Sequence, residues 1–136
     1  MLRASEEAFL STPRLGMFST VAGEGWSRPV PVWFTWQDGA IELFSGATAP
    51  KVARLRAEPR AHLLAANNVG EPEAWLSIAG PVSLHPVDPA WLEELSARYW
   101  DLGDATARAT VDGWIAAVDS MVGITVRPQD VHRYGL

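Results

Sequence analysis

The sequence of 136 residues contains no cysteine. This absence excludes disulfide bonds, thiolate nucleophiles and zinc sites built on cysteine. The three histidines, His62, His85 and His132, are widely separated and form no local ligand motif. No metal site is therefore predicted.

Basic residues are scarce, with 11 Lys and Arg against 16 Asp and Glu and a net charge of −5. Proteins that bind nucleic acid usually carry a basic surface, so a nucleic-acid partner is not expected. No apolar run approaches the roughly 20 residues of a membrane helix. Glu6 and Glu7 stand where a signal peptide would be apolar. We expect a cytoplasmic protein without a membrane partner.

The length and composition predict a single domain over residues 1–136, because 48% hydrophobic residues suffice for one ordinary core. Seven tryptophans are many for this length. They either fill the core or stack on a flat ligand or on a partner subunit.

The hydrophobic pattern predicts a mainly β protein with short helices. Asp38-Gly39 between two β-prone runs is a strong hairpin signal, and hairpins favour an antiparallel sheet. Ser5 and Thr48 are candidate helix caps, and a turn is expected at Gly23-Glu24-Gly25. The predicted helices cover residues 4–11, 48–57, 88–100 and 104–119. The six predicted strands, which suit a small antiparallel barrel, cover residues 15–21, 28–36, 41–45, 60–66, 75–84 and 121–127.

Residues 28–36 are apolar on both faces of the predicted strand, with Pro29 and Pro31 two positions apart. Both missing amide donors then lie on the same side, which confines the strand to an edge. The prolines either prevent the edge strand from pairing with other chains and aggregating, or leave room for a planar ligand beside it.

Residues 45–51 pass from the end of a strand into the start of a helix and consist mostly of small residues. The start of a helix favours an anion. Lys51 and Arg54 share one helix face, and residues 51–60 hold four basic residues and one acidic residue. This segment is either a phosphate site or a solvated basic face.

The strand that begins at Trp75 places Trp75, Ser77 and Ala79 on one face. Such a face can stack on a ring and donate a hydroxyl group, or it can be the mixed face of an ordinary barrel strand.

Together, these segments resemble the pyridoxamine-5′-phosphate-oxidase-like group of flavin or deazaflavin proteins, which have a split β-barrel. The resemblance covers most of residues 5–134. It is carried by residues 15–21 and 28–34, by Lys51-x-x-x-Leu55-x-x-x-Pro59-Arg60, by Trp75-x-x-x-x-Gly80 and by Val126-Arg127-Pro128-x-x-Val131-x-x-Tyr134.

The resemblance implies a homodimer with two cofactors in clefts between the subunits. Ser45 would lie near the ribityl chain, and Lys51 would be the charged contact of the phosphate, with Arg54 beside it. Trp75 and Ser77 would come from the second subunit. The remaining implied contacts are Val30, Pro31, Val32, Trp33 and Phe34 for the isoalloxazine ring, and Gly46 and Pro50 for the phosphate.

The resemblance also implies hydride transfer to or from a small organic substrate, with FMN as the cofactor and F420 as the alternative. Ala53 stands where some deazaflavin-binding relatives have a basic residue, which favours FMN. The C-terminal Arg/His motif of true pyridoxamine phosphate oxidases is missing, so that activity is not expected. A flavin- or haem-binding protein without turnover, and a module that only dimerises, remain open. The sequence nominates no acid or base.

Overall fold

The structure is a computed structural model and describes residues 2–21 and 25–136. The turn predicted around Gly23 and Glu24 lies outside the described residues. Within the described ranges, no helix is both long and apolar enough to cross a membrane.

The described part of the chain forms eight strands, four α-helices and one short 3-10 helix, arranged as an α+β fold. In chain order these are α1 (Ala4–Ser11), β1 (Gly16–Thr20), β2 (Val30–Val32), β3 (Thr35–Gln37), β4 (Ala40–Gly46), α2 (Pro50–Ala57), β5 (Arg60–Ala66), β6 (Trp75–His85), α3 (Pro89–Tyr99), α4 (Ala105–Ala116), the 3-10 helix (Val118–Ser120), β7 (Met121–Val126) and β8 (Asp130–Tyr134).

The strands form one curled antiparallel sheet in the order β2-β1-β5-β6-β7-β4-β3, with β8 also paired to β6. The long strand β6 divides this sheet. Its first part pairs with β5 and β8, and its last four residues pair with β7. This arrangement confirms the predicted α+β fold with an antiparallel split barrel.

The β3–β4 hairpin turns at Asp38 and Gly39, as predicted. Their φ angles are +52° and +75°, which is the geometry of the two-residue turns whose twist matches that of paired strands. The core inside the sheet includes Phe18, Phe34 and Leu63, which are fully buried. Helix α1 adds Phe9 and Leu10 to this core.

The strand count is where the prediction was wrong. Residues 28–36 form two strands, because the chain leaves β1 after Val32 and joins β4 at Thr35. At the break, the Tyr99 hydroxyl accepts from the Phe34 amide at 3.2 Å and donates to the Arg14 carbonyl at 2.6 Å. The predicted C-terminal tail contains a further strand, β8.

The helix ends also differ from the prediction. Arg3, and not Ser5, is the N-cap of α1, because the Glu6 carboxylate accepts from the Arg3 amide. Ala49, and not Thr48, precedes α2, since Pro50 occupies the first helical position. Helix α4 ends at Ala116, and residues 118–120 tighten into the 3-10 helix.

Candidate functional site

A cleft of about 480 Å³ opens between helix α2 and the edge formed by β1 and β2. Its walls combine apolar surface with three cationic side chains. The lining residues are Phe18 and Thr20 from β1, Arg28 and Val30 from the region of β2, and Pro50, Lys51 and Arg54 from α2. We call it the basic cleft.

Two of the three cations of the basic cleft contact side chains of β1. The Arg54 Nε donates to the Thr20 hydroxyl at 2.7 Å, and the Lys51 Nζ lies 6.0 Å from the centroid of the Phe18 ring. Burial, together with repulsion from Arg54, holds the pKa of Lys51 below its usual range. A bound anion would relieve that repulsion, so the cleft is suited to an anionic group.

Two backbone amides in the turn before α2 already donate to backbone carbonyls and are not free to bind an anion. The Ala47 amide donates to the Ser120 carbonyl at 2.9 Å, and the Ala49 amide donates to the Gly46 carbonyl at 3.1 Å. The attraction for an anion in the cleft therefore comes mainly from the three cationic side chains, with the helix dipole adding to it.

Val30, Pro50, Lys51 and Arg54, all candidates from the sequence, line the basic cleft together. Ser45 and Gly46 lie at the end of β4, immediately before the turn into α2. Ser45 is buried, and its hydroxyl donates to the Gly46 carbonyl at 3.3 Å.

The other residues of the predicted ring-binding segment point elsewhere. Val32 and Phe34 are buried in the core, so a ligand beside this edge would contact their backbone and not their side chains. Pro31 is exposed and pairs with Met17 of β1.

Trp33 lies in an aromatic cluster that also contains Tyr99, Trp100 and Trp114. Its ring stacks parallel to the Tyr99 ring at 4.9 Å, and the Trp100 and Trp114 rings pack against it in T-shaped arrangements with centroids at 4.9 and 5.8 Å. One face of the Trp33 ring is therefore already covered within the subunit.

Trp75 and Ser77 lie on the outer face of the sheet, away from the core. On this face, Pro31, Met17, Leu64, Ser77 and His132 follow one another across strands β2, β1, β5, β6 and β8. The Trp75 ring stacks on the Tyr134 ring at 6.2 Å.

The basic cleft and the Trp75/Ser77 surface face opposite sides of the sheet. Phe18 faces the core from β1, whereas Met17 and Ser77 belong to the outer row, because successive side chains of a strand alternate between faces. One subunit does not place Ser77 in its own basic cleft.

Four residues of interest were not singled out from the sequence. Arg28 stands two positions before Val30, so strand alternation could have placed it on the side of the cleft. Phe18 and Thr20 join the cleft only because α2 packs over β1. His62 is recognised through its contact with Ser77, 15 positions further along the chain.

The curled sheet, divided where β6 changes partners, together with the basic cleft at the start of α2, defines a split-barrel protein with a cationic cleft at its side. The sequence matches the family described as pyridoxamine 5′-phosphate oxidase over residues 2–122. The chain therefore belongs to this family. No match was found among curated proteins.

Solved structures share the fold at low sequence identity. A conserved hypothetical protein from Mycobacterium tuberculosis is 21% identical, with a TM-score of 0.75, over 98% of this chain and 84% of its own. An F420 reductase is 22% identical, with a TM-score of 0.75, over 96% of this chain and 98% of its own. An FAD-binding protein from Mesorhizobium loti is 19% identical, with a TM-score of 0.63, over 97% of this chain and 94% of its own.

Proposed function

We propose that this protein is a homodimeric oxidoreductase that binds FMN in the basic cleft and transfers hydride to or from a small organic substrate. The observation that carries the proposal is the convergence of Lys51, Arg54 and Arg28 on one cleft in a chain with net charge −5. The family and the similarity to an FAD-binding protein support a flavin.

The chemistry of the cleft fits a phosphate group. Lys51 supplies a compact ammonium and the two arginines supply guanidinium groups, which pair with phosphate through more than one hydrogen bond. The volume of about 480 Å³ lies within the usual range of small-molecule sites. Lys51 and Arg54 would hold the phosphate, and the edge backbone around Val30 would run beside the ring.

A second subunit would complete this site. Trp75 and Ser77, which the resemblance assigns to the cofactor, lie on the opposite face of the sheet from the basic cleft. The outer face also exposes apolar side chains, among them Met17 and Tyr134. Packing of this face across the β1 and β2 edge of a second copy, where the basic cleft opens, would bring Ser77 of one subunit towards the basic cleft of the other.

A bound flavin would supply the hydride chemistry, and the protein would bind and orient it. Lys51 and Arg54 would fix one end of the molecule by charge. The β2 edge would fix its plane, because Pro29 and Pro31 remove backbone donors there and leave an unpaired side. The outer face of the second subunit would exclude water.

F420 is the second candidate cofactor, favoured by the similarity to an F420 reductase. Its phosphate would use the same cations. Ala53, exposed on α2, adds no further positive charge for a long anionic tail, and for this reason FMN is preferred. The absorption spectrum of the purified protein separates a flavin from a haem, and titration of the apo-protein with each cofactor decides between FMN and F420.

The proposal is tested by the Lys51→Ala variant. A charge-assisted hydrogen bond to phosphate contributes about 1.5–3 kcal/mol, so FMN affinity should fall roughly 10- to 150-fold. Riboflavin lacks the phosphate, and its affinity should barely change. Fluorescence titration of the apo-protein with both ligands measures the two affinities.

Arg56→Ala is the matched control, because it removes the same charge from an exposed position of α2 that does not line the basic cleft. It should leave FMN affinity nearly unchanged. Equal FMN affinity in wild type and Lys51→Ala, or an equal loss for riboflavin, would contradict a phosphate site at Lys51.

A further inference from the structure

A polar strip crosses the outer face where the apolar residues leave a gap. His62 on β5 and Ser77 on β6 are both half-buried, and the His62 Nε2 lies 2.5 Å from the Ser77 Oγ. On β8, His132 is the cross-strand partner of Ser77, and its Nε2 lies 3.3 Å from the Asp130 carboxylate. This hydrogen bond allows a proton to pass directly between the His62 imidazole and the Ser77 hydroxyl.

His62 also lines a cavity of about 300 Å³ at the end of β1, together with Arg60, Gln129 and Asp130. Thr20 lines both this cavity and the basic cleft, so the two adjoin. The cavity gives the imidazole a path for proton exchange with solvent at the end of β1. It lies on the same face of the sheet as Ser77, because Ser19 and Ala79 also line it.

The charged groups around His62 come from two strands. Asp130 and His132 face it from β8, and Arg60 stands two positions before it on β5, where it pairs with Glu58. Burial lowers the pKa of His62, the Asp130 carboxylate raises it, and His132 lowers it. An acid with a lowered pKa gives up its proton more readily near neutral pH.

We propose that His62 and Ser77 form the acid–base pair that one subunit contributes to the cofactor cleft of the other. This inference rests on the proposed function, because it requires the outer face to meet the basic cleft of a second copy. Polar groups in a contact face cost free energy when they lose water, unless they are hydrogen-bonded. The contact between His62 and Ser77 meets this cost and also orients the Ser77 hydroxyl.

The proton balance of the step is complete. Reduction of an unsaturated acceptor adds one hydride, which a bound reduced flavin would supply, and one proton, which the Ser77 Oγ would donate. The protonated His62 Nε2 then returns a proton to the Ser77 Oγ, and His62 regains its own proton from water in the cavity. Ser77 is the residue that contacts the substrate, and His62 acts through it.

The first test needs no turnover. The side-chain signal of His62 is followed by NMR over a pH titration, in the apo-protein and in the FMN-loaded dimer. If the pair faces the cofactor, its titration midpoint should move by at least about 0.5 pH unit on FMN binding. An unchanged midpoint in a protein that has bound FMN overturns the inference and leaves the proposed function standing.

The second test is a single turnover. Bound FMN is reduced with dithionite without oxygen and mixed with the quinone menadione between pH 5 and 9. The wild-type rate should fall as the pH rises through the pKa of His62, because the acid form is lost. In His62→Gln, which keeps a hydrogen-bond donor but cannot titrate, the rate should be about 100-fold lower and independent of pH.

The single-turnover rate of Ser77→Ala should fall by the same factor as that of His62→Gln. The double variant should be no slower than either single variant, since the two groups act as one unit. His132→Gln is the matched control. It should keep the rate of the low-pH plateau and move the midpoint of the pH profile upwards, because His132 lowers the pKa of His62. A His62→Gln variant with the wild-type rate and pH profile overturns the inference. A protein that binds neither FMN nor F420 overturns the proposed function and this inference with it.

Discussion

Gly80 shows how a single residue permits the division of the barrel. It lies on β6 just before the strand changes partner from β5 to β7, and the chain after β7 passes directly over it. A β-carbon at this position would stand 1.7 Å from the Arg127 carbonyl oxygen. Only glycine fits there without movement of the backbone.

Gly80→Ala is therefore expected to destabilise the protein by about 3 kcal/mol or more, because the overlap is with backbone and cannot be relieved by a rotamer change. The melting temperature should fall by roughly 10 °C or more, as measured by circular dichroism.

Gly113→Ala is the comparison that isolates this effect. Gly113 lies on the exposed side of α4, where a β-carbon would meet nothing within 4 Å. Alanine should stabilise the helix there by roughly 0.5–1 kcal/mol. Destabilisation of both variants to the same extent would show that glycine at position 80 has no special steric role.

At the scale of elements, α1 is fixed to β8 by a buried carboxylate. Glu6 is fully buried, accepts from the Arg3 amide at 3.0 Å and forms an ion pair with Arg133. Burial by itself would raise the pKa of Glu6, but the Arg3 amide and Arg133 outweigh it and hold the pKa below its usual value. The two ends of the described chain are thus tied by charge.

Glu6→Gln should lower the free energy of unfolding by about 2–3 kcal/mol at pH 7, less than for a fully buried pair because Arg133 is partly exposed. The difference has a defined pH dependence. It is fully present above the unfolded pKa of about 4.3 and shrinks as the pH falls through the lowered folded pKa. Urea unfolding at pH 7 and pH 3 measures it, and a difference that stays constant would contradict this account.

At the scale of the whole molecule, the outer face is expected to join two copies. Met17 lies in its central row between Pro31 and Leu64. Met17→Glu would place a charge in the contact without disturbing the core, because Met17 is exposed in the single subunit. We expect a wild-type dimer with a total buried area of roughly 2,000 Å² or more, and a folded monomer for the variant.

Light scattering at micromolar concentration gives the mass, and circular dichroism confirms that the variant is folded. Ala109→Glu, at an exposed position on α4, is the control and should stay dimeric. A monomeric wild type would remove both the dimer and the shared cofactor cleft.

The local signals in the sequence determined much of this architecture. Asp38-Gly39 specified its hairpin because few residue pairs accept two positive φ angles. Lys51 and Arg54, three positions apart, marked the face of α2 that lines the cleft, since helical spacing fixes which residues lie side by side. These features depend only on neighbours in the chain.

The tertiary structure decided what depends on distant partners. Tyr99, 65 positions after Phe34, holds the backbone at the break between β2 and β3 by a hydrogen bond, and no pattern within residues 28–36 carries that information. Thr20 and Phe18 enter the basic cleft because α2 folds over β1. His62 meets Ser77 because the register of β5 on β6 sets them side by side. Strand register and helix docking are fixed by the packing of the whole core, and a single sequence segment does not contain them.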